Sequence, residues 1–459
     1  MKSVTPMAIE RQALLAIRPI AAVAAMLWAA VAAAGDLPDP LRDADFRNPS
    51  HAEVELGRFL FFDPILSGNR NIACADCHHP RFATGDGISV SVGEGGVGLG
   101  PTRTTGTGEA AIEARVPRNS PALFNLGASE FKVMFHDGRL ERDPAQPGGF
   151  RNPLGADLPP GFDGALSMQA MFPVTSPDEM AGQYNENAVA KAARRGDIVG
   201  PGGVWELLAG RLRENPEYVA LFQEAYDDVA DAGDISFVHA ANAMAAFIAA
   251  AWRADDSPFD RYLRGRTDAL EGRARRGMAL FYGKAGCAAC HAGPLQTDHR
   301  YHAIAMPQIG PGKKARFESH NRDVGRMRVT GRDADAFRFR TPSLRNVALT
   351  APYGHSGAYA SLEAVVRHHL DPVGALERYD PAQAILPAHP GLADPDFAVV
   401  EDPAERAAIA AANELEPIAL NDGEVSDLIA FLHALTDPRS TDLSADIPAR
   451  VPSGLPVTR

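Results

Sequence analysis

Cys74-Ala75-Asp76-Cys77-His78 recurs in kind as Cys287-Ala288-Ala289-Cys290-His291, and these two pentapeptides use every cysteine in the chain. C-x-x-C-H is the attachment signature of c-type haem: each thiol adds across a porphyrin vinyl group, and the histidine that follows becomes an axial ligand of the iron. Two disulfides, or one zinc held by four thiolates, would leave both neighbouring histidines without a role. The sequence therefore assigns two covalently bound haem c groups. Cys74, Cys77, Cys287 and Cys290 carry them, and His78 and His291 ligate their irons.

The N-terminus agrees with that chemistry. Lys2, Arg11 and Arg18 precede an apolar run from Ile20 to Ala34, and Ala32-Ala33-Ala34 before Gly35 suits signal peptidase, so residues 1–34 read as a cleaved signal peptide. The run is short for a membrane span. No other segment is long and apolar enough, so the mature chain is expected to have no membrane span and to lie in the periplasm, where bacteria attach haem c. A formal net charge of −13 argues against nucleic acid as a partner and permits a basic redox protein. A homodimer stays open.

An internal repeat organises the rest. Leu56-Gly57-Arg58-Phe59-Leu60-Phe61 precedes the first haem motif, and Arg276-Gly277-Met278-Ala279-Leu280-Phe281 precedes the second. Both show helical apolar spacing, carried by Leu56, Leu60 and Phe61 in one and by Ala274, Met278 and Phe281 in the other. Downstream, Pro121-Ala122-Leu123-Phe124-Asn125 matches Pro342-Ser343-Leu344-Arg345-Asn346. The expected fold is mainly α with long loops: two cytochrome c-like haem domains related by duplication. They span 35–255 and 256–440, and a tail at 441–459 is either a strap or a disordered end. Helices are expected within Gly203 to Arg253, most strongly from Phe237 to Ala251. Gly95 to Gly108 reads as a loop.

At this point the chain resembles the bacterial di-haem cytochrome c peroxidase and MauG family over nearly all of its mature length. The resemblance rests on both haem motifs, Asn119-Ser120-Pro121, His136-Asp137-Gly138-Arg139, the stretch from Phe172 to Met180, and Thr350-Ala351-Pro352-Tyr353-Gly354-His355-Ser356-Gly357. It implies that the N-terminal haem is the peroxide site, with Glu179 as its acid/base and Pro173 packed on the same distal face. One carboxylate can take a proton from one peroxide oxygen and give it to the other. In family peroxidases a histidine after the first motif caps the resting iron. Here that slot falls in Ser91-Val92-Gly93-Glu94-Gly95 and holds Glu94, so the iron is expected to be open. His79, beside His78, reads as a surface residue.

The resemblance further implies that the C-terminal haem transfers electrons. The family's sixth ligand, Met or Tyr, falls seventeen positions beyond Pro352, on His369, with His368 as the neighbouring alternative. A helix from Ser361 to Leu370 is expected to turn only one of the two inward. Methionine ligation raises a haem potential, and a second imidazole is expected to lower it. A family tryptophan between the haems is replaced by His136. A bridging Ca²⁺ is implied at Asn119, Thr350 and Pro352. The insert from Gly293 to Arg338 reads as a solvated loop or docking loop, with a basic cluster of Lys313, Lys314, Arg316, Arg322, Arg326 and Arg328.

The leading functional expectation is a peroxidase that reduces H2O2 with electrons from a small cytochrome c or cupredoxin. The alternatives are a MauG-like enzyme that oxidises residues of a partner protein, and a non-catalytic di-haem electron carrier with both irons capped.

Overall fold

The helix His51–Phe62 opens with a reciprocal cap: the Ser50 hydroxyl accepts from the Glu53 amide, and the Glu53 carboxylate accepts from the Ser50 amide. Leu56, Leu60 and Phe61 face inward, as their spacing requires. This helix crosses the buried helix Phe237–Ala251 at Gly57, where a Cβ would stand 1.8 Å from the Ala243 carbonyl oxygen. The second half repeats the device. Helix Gly272–Phe281 crosses helix Asp422–His433 at Gly277, where a Cβ would stand 1.9 Å from the Asp427 carbonyl oxygen. In both halves the glycine lets two backbones touch just before a haem motif.

The computed structural model describes residues 37–315, 317–389 and 391–459, so the predicted signal peptide at 1–34 lies outside the described residues, as does Arg316. The architecture is mainly helical with long loops. Strands are few: Val133–Met134, Leu140–Arg142 and Phe150–Arg151 form one antiparallel sheet, and Tyr301–His302 pairs with Phe339–Arg340. No helix of the described residues is long and apolar enough to cross a membrane. Between Gly203 and Arg253 the helices are Val204–Arg213, Pro216–Ala225 and Phe237–Ala251.

The two halves share further local structure. Asn125 and Asn346, which end the matched Pro-x-Leu-x-Asn segments, both have positive φ, 61° and 60°. Each ties to the chain after the crossing helix of its own half: Asn125 Oδ1 accepts from the Ala254 amide, and Asn346 Oδ1 from the Asp437 amide. One large apolar core cluster lies within residues 56–244 and another within 259–435.

The tail is an ordered strap. Val451 is buried against Phe61, Phe62 and Trp252. The Ser453 hydroxyl donates to Asp63 at 2.6 Å, and the Thr458 hydroxyl donates to Asp76, inside the first haem motif, at 2.9 Å. This strap corrects the expectation for His79, which is buried, not on the surface. Its Nδ1 accepts from the Arg81 amide, and its Nε2 faces the Thr458 carbonyl at 3.4 Å.

The insert also differs from the expected solvated loop with a free basic patch. Arg326 is buried, donating to the Asp137 and Gly138 carbonyls and to Glu141. Arg322 pairs with Glu405 and Arg328 with Glu318. Arg322 and Arg326 thus tie the insert to the rest of the molecule, whereas Arg328 pairs within it.

Candidate haem sites

Each haem motif folds as a short 3-10 turn, Cys74–Asp76 and Cys287–Ala289, with the histidine amide donating to the first cysteine's carbonyl at 3.0 and 2.9 Å. The histidines are then oriented alike. His78 Nδ1 donates to the Thr84 carbonyl at 3.1 Å, and His291 Nδ1 donates to the Gln296 carbonyl at 3.1 Å. That bond fixes the tautomer and leaves Nε2 free, the usual arrangement of an imidazole that ligates a metal. Burial lowers the pKa of both rings, His291 to about 4, so they stay neutral, as ligation requires. The four cysteines form no disulfide, and burial pushes the Cys74 and Cys287 thiols up to about 12. A zinc site would need thiolates, whereas thioether sulfurs are neutral and suit apolar walls.

His78 borders a cavity of roughly 110 Å³. Cys74, Cys77 and His78 line it, with Phe61, Leu123 and Ile248 among its apolar walls. Glu179 and Pro173 face the same space. His78 is the sole imidazole among the described residues lining it. Glu179 is carried by a tight π-type turn, Pro177–Ala181, whose Asp178 carbonyl lies so close to Gly93 that a Cβ there would stand 1.9 Å from it. Burial, then the neighbouring Glu179 charge, pushes Asp178 up to about 6. Glu94 is turned away from the cavity: its carboxylate accepts from Asn69 at 2.9 Å and Asn71 at 2.7 Å, and its amide donates to the Glu179 carbonyl.

Sequence reading missed Gln169. It lines the same cavity, and its Oε1 is buried without a hydrogen-bond partner among the described residues. An unpaired buried acceptor is costly, and one that faces a cofactor cavity fits a ligand or water there. Lys313, one of the basic cluster in the insert, was not read as a neighbour of this cavity. It sits half-buried near Glu179 and Arg139, and burial lowers its pKa.

In the second half, helix Leu362–Leu370 buries His368 and leaves His369 half-buried, its ring facing that of His291. They do different things. His368 Nε2 donates to the Ile304 carbonyl at 2.7 Å, and its Nδ1 accepts from the Tyr359 hydroxyl at 2.9 Å, so neither nitrogen is free. His369 Nδ1 donates to the Val365 carbonyl at 2.8 Å, leaving Nε2 uncommitted. Its ring centre is 6.4 Å from that of His291. Two metal–imidazole bonds of about 2 Å each, plus the nitrogen-to-centre distance of each ring, span about that length.

His136 sits where the halves meet. Its Nε2 donates to the Asn119 carbonyl at 3.3 Å, and its own carbonyl accepts from the Arg340 amide at 2.8 Å. Burial, reinforced by Arg118, lowers its pKa to about 3, so the ring is neutral. Beside it Arg118 bridges Asp137 and Asp323, both at 2.7 Å, with all three side chains buried. Asn119 spends its amide N–H groups on the Ile88 and Ser89 carbonyls. Its Oδ1 and the carbonyls of Thr350 and Pro352 accept no hydrogen bond among the described residues.

Two haem-binding turns, each with an oriented imidazole, one facing a carboxylate-lined cavity and one facing a second imidazole, describe a c-type protein with two unequal haem sites. The di-haem cytochrome c peroxidase family signature matches residues 51–268. The chain is 32% identical to the methylamine utilization protein MauG of Methylorubrum extorquens, over 70% of each chain. It is 30% identical to the cytochrome-c peroxidase IdrP1 of Denitromonas iodatirespirans, over 92% of this chain and 93% of that one. Among solved structures it is similar to a MauG-like protein associated with microbial copper homeostasis, with a TM-score of 0.56 and 25% identity over 90% of this chain and 96% of the other. The protein belongs to the di-haem cytochrome c peroxidase and MauG family.

Proposed function

We propose that this protein is a periplasmic di-haem peroxidase that reduces H2O2 at the His78 site and receives electrons one at a time through the His291 site from a small redox protein. The observation that carries the reading is the first cavity, where Glu179 faces the same space as Cys74, Cys77 and His78 and no second imidazole lines it among the described residues. A haem held there by Cys74, Cys77 and His78 would supply a redox-active iron at which peroxide could react. A Glu179 carboxylate oxygen accepts the proton of one peroxide oxygen and returns it to the other, so that the second leaves as water. Gln169, whose buried Oε1 has no hydrogen-bond partner among the described residues, would orient bound peroxide by accepting from it. Pro173, Phe61 and Ile248 keep bulk water from the cleft.

At the second site, His369 is the residue that would join His291 in holding the haem iron, because His368 has both nitrogens committed. Closed by two imidazoles, that site carries electrons without offering a place for peroxide. His136, neutral and buried between the halves, provides a coupling path and a hydrogen bond to Asn119, not a radical stepping stone. The uncommitted oxygens of Asn119, Thr350 and Pro352 suit Ca²⁺ as ligands; metal analysis of the dialysed holoprotein would test this, and absence of calcium would exclude it.

The deciding experiment is stopped-flow reaction of the oxidised holoprotein with peroxide. Glu179→Gln is expected to slow the step by about 10²–10⁴-fold with both haems still attached. An unchanged rate would remove Glu179 from the mechanism, and a wild-type protein inert to peroxide would leave the electron-carrier reading.

A further inference from the structure

Asp86 is a buried carboxylate that the peroxide chemistry above does not use. It is 1% exposed. Its Oδ1 accepts from the Ile88 amide at 3.1 Å, but its Oδ2 has no hydrogen-bond partner among the described residues. The Ser91 hydroxyl lies alongside that carboxyl without the alignment of a hydrogen bond. Ser91 Oγ is in turn 2.7 Å from Ser120 Oγ, and Ser120 lines the first haem cavity. A path of polar atoms thus runs from the cavity wall, through two hydroxyls, to an acid with one oxygen unsatisfied.

The charged surroundings of Asp86 leave it room to hold a proton. Arg103 is the cation that faces it. That guanidinium is already committed to the Val92, Gly93 and Gly98 carbonyls and to Asp76. The Cys77 thiol is the other titratable neighbour, and it is consumed when the thioether forms. Burial pushes the Asp86 carboxyl up to about 7, against which Ser91 and Arg103 act only partly. Ionised, Asp86 keeps a buried acceptor without a donor, a costly state. Protonated, it turns Oδ2 into a donor for Ser91.

We propose that Asp86, Ser91 and Ser120 form a proton-storing relay to the first haem, in which the Asp86 carboxylate takes up one proton when that site gains an electron and releases it when the electron leaves. The inference rests on the reading of the cavity as a haem site. One O–H bond forms on Asp86 Oδ2. The electron comes from the external donor, and the proton comes from water by way of the Ser120 and Ser91 hydroxyls. Ser120 and Glu179 line the same cavity, but the Ser91 and Asp86 side chains are not among its lining, so the relay would tune when the first site accepts an electron while Glu179 serves peroxide cleavage. Asp86 is thereby a positioning residue for charge.

The test is a redox titration of the holoprotein across pH 6–8, together with the infrared difference spectrum between oxidised and reduced protein. In the wild type the first haem's midpoint is expected to fall with rising pH, approaching about 59 mV per unit, the one-electron equivalent of a tenfold change in proton concentration. A protonated-carboxyl band should accompany reduction. Asp86→Asn should flatten the slope and remove the band with both haems attached. Ser91→Ala should keep the slope but move it to higher pH, because the anion loses its nearby hydroxyl; if Asp86→Asn fails to fold, this shift decides. A flat wild-type profile, or a slope undiminished in Asp86→Asn, overturns the proposal. Fewer than two haems per chain in the wild type would instead defeat the reading of the cavity.

Discussion

His368 and His369 show how much depends on a single nitrogen. They are adjacent on one helix, His368 buried and His369 half-buried beside His291. What separates them is that His368 has a donor on one nitrogen and an acceptor on the other, while His369 anchors through Nδ1 alone. His369→Ala is therefore expected to turn the second haem from low-spin to high-spin in its EPR spectrum, and His369→Met to raise its midpoint potential. His368→Ala removes bonds to Tyr359 and Ile304 and should cost about 1–3 kcal/mol of stability while leaving the low-spin signal intact. The reverse pattern would transfer the ligand role to His368. Counting from Pro352 brought His369 forward from the sequence, but the reason its neighbour is excluded is a carbonyl at Ile304, sixty-four positions away.

At the scale of elements, the C-terminal strap is the part that local pattern described least well. Proline-rich and short of apolar periodicity, residues 441–459 offered no choice between order and disorder. Order comes from what they meet: Val451 in an aromatic pocket, Ser453 on Asp63, Thr458 on Asp76. Burying Val451 contributes about 1.5–3 kcal/mol, and each hydrogen bond to a carboxylate about 1.5–3 kcal/mol. Deleting residues 450–459 should thus lower the melting temperature and expose the first haem motif and the Pro80–Gly87 loop after it to protease. Equal melting and digestion patterns with and without the strap would show that it merely lies on the surface. The motif helices were legible by contrast, because Leu56, Leu60 and Phe61 follow a helical period whatever they pack against.

Across the whole molecule, the junction of the two halves is held by buried charge. Arg118 joins Asp137 from its own half to Asp323 from the other, next to His136 and Asn119. Removing the cation leaves two buried carboxylates uncompensated, so Arg118→Ala is expected to destabilise by about 3–5 kcal/mol and to slow electron transfer between the haems. Arg118→Lys should not restore it, because an ammonium cannot reproduce the planar fork. Melting curves and reduction kinetics of the second haem relative to the first would check both variants; wild-type behaviour in Arg118→Ala would show that the haems are set by other contacts.

Two attachment motifs, their histidines and the helices before them could be read directly from the order of residues, because covalent haem chemistry and helical periodicity act over a few neighbouring positions. The meeting of His78 and Glu179 around one cavity, the burial of His79, the ion pairs of Arg322 and Arg326, the Gln169 oxygen and the Asp86 path could not. Each depends on partners tens to hundreds of positions distant, and only the folded chain decides which polar atoms find a partner and which are left for a ligand.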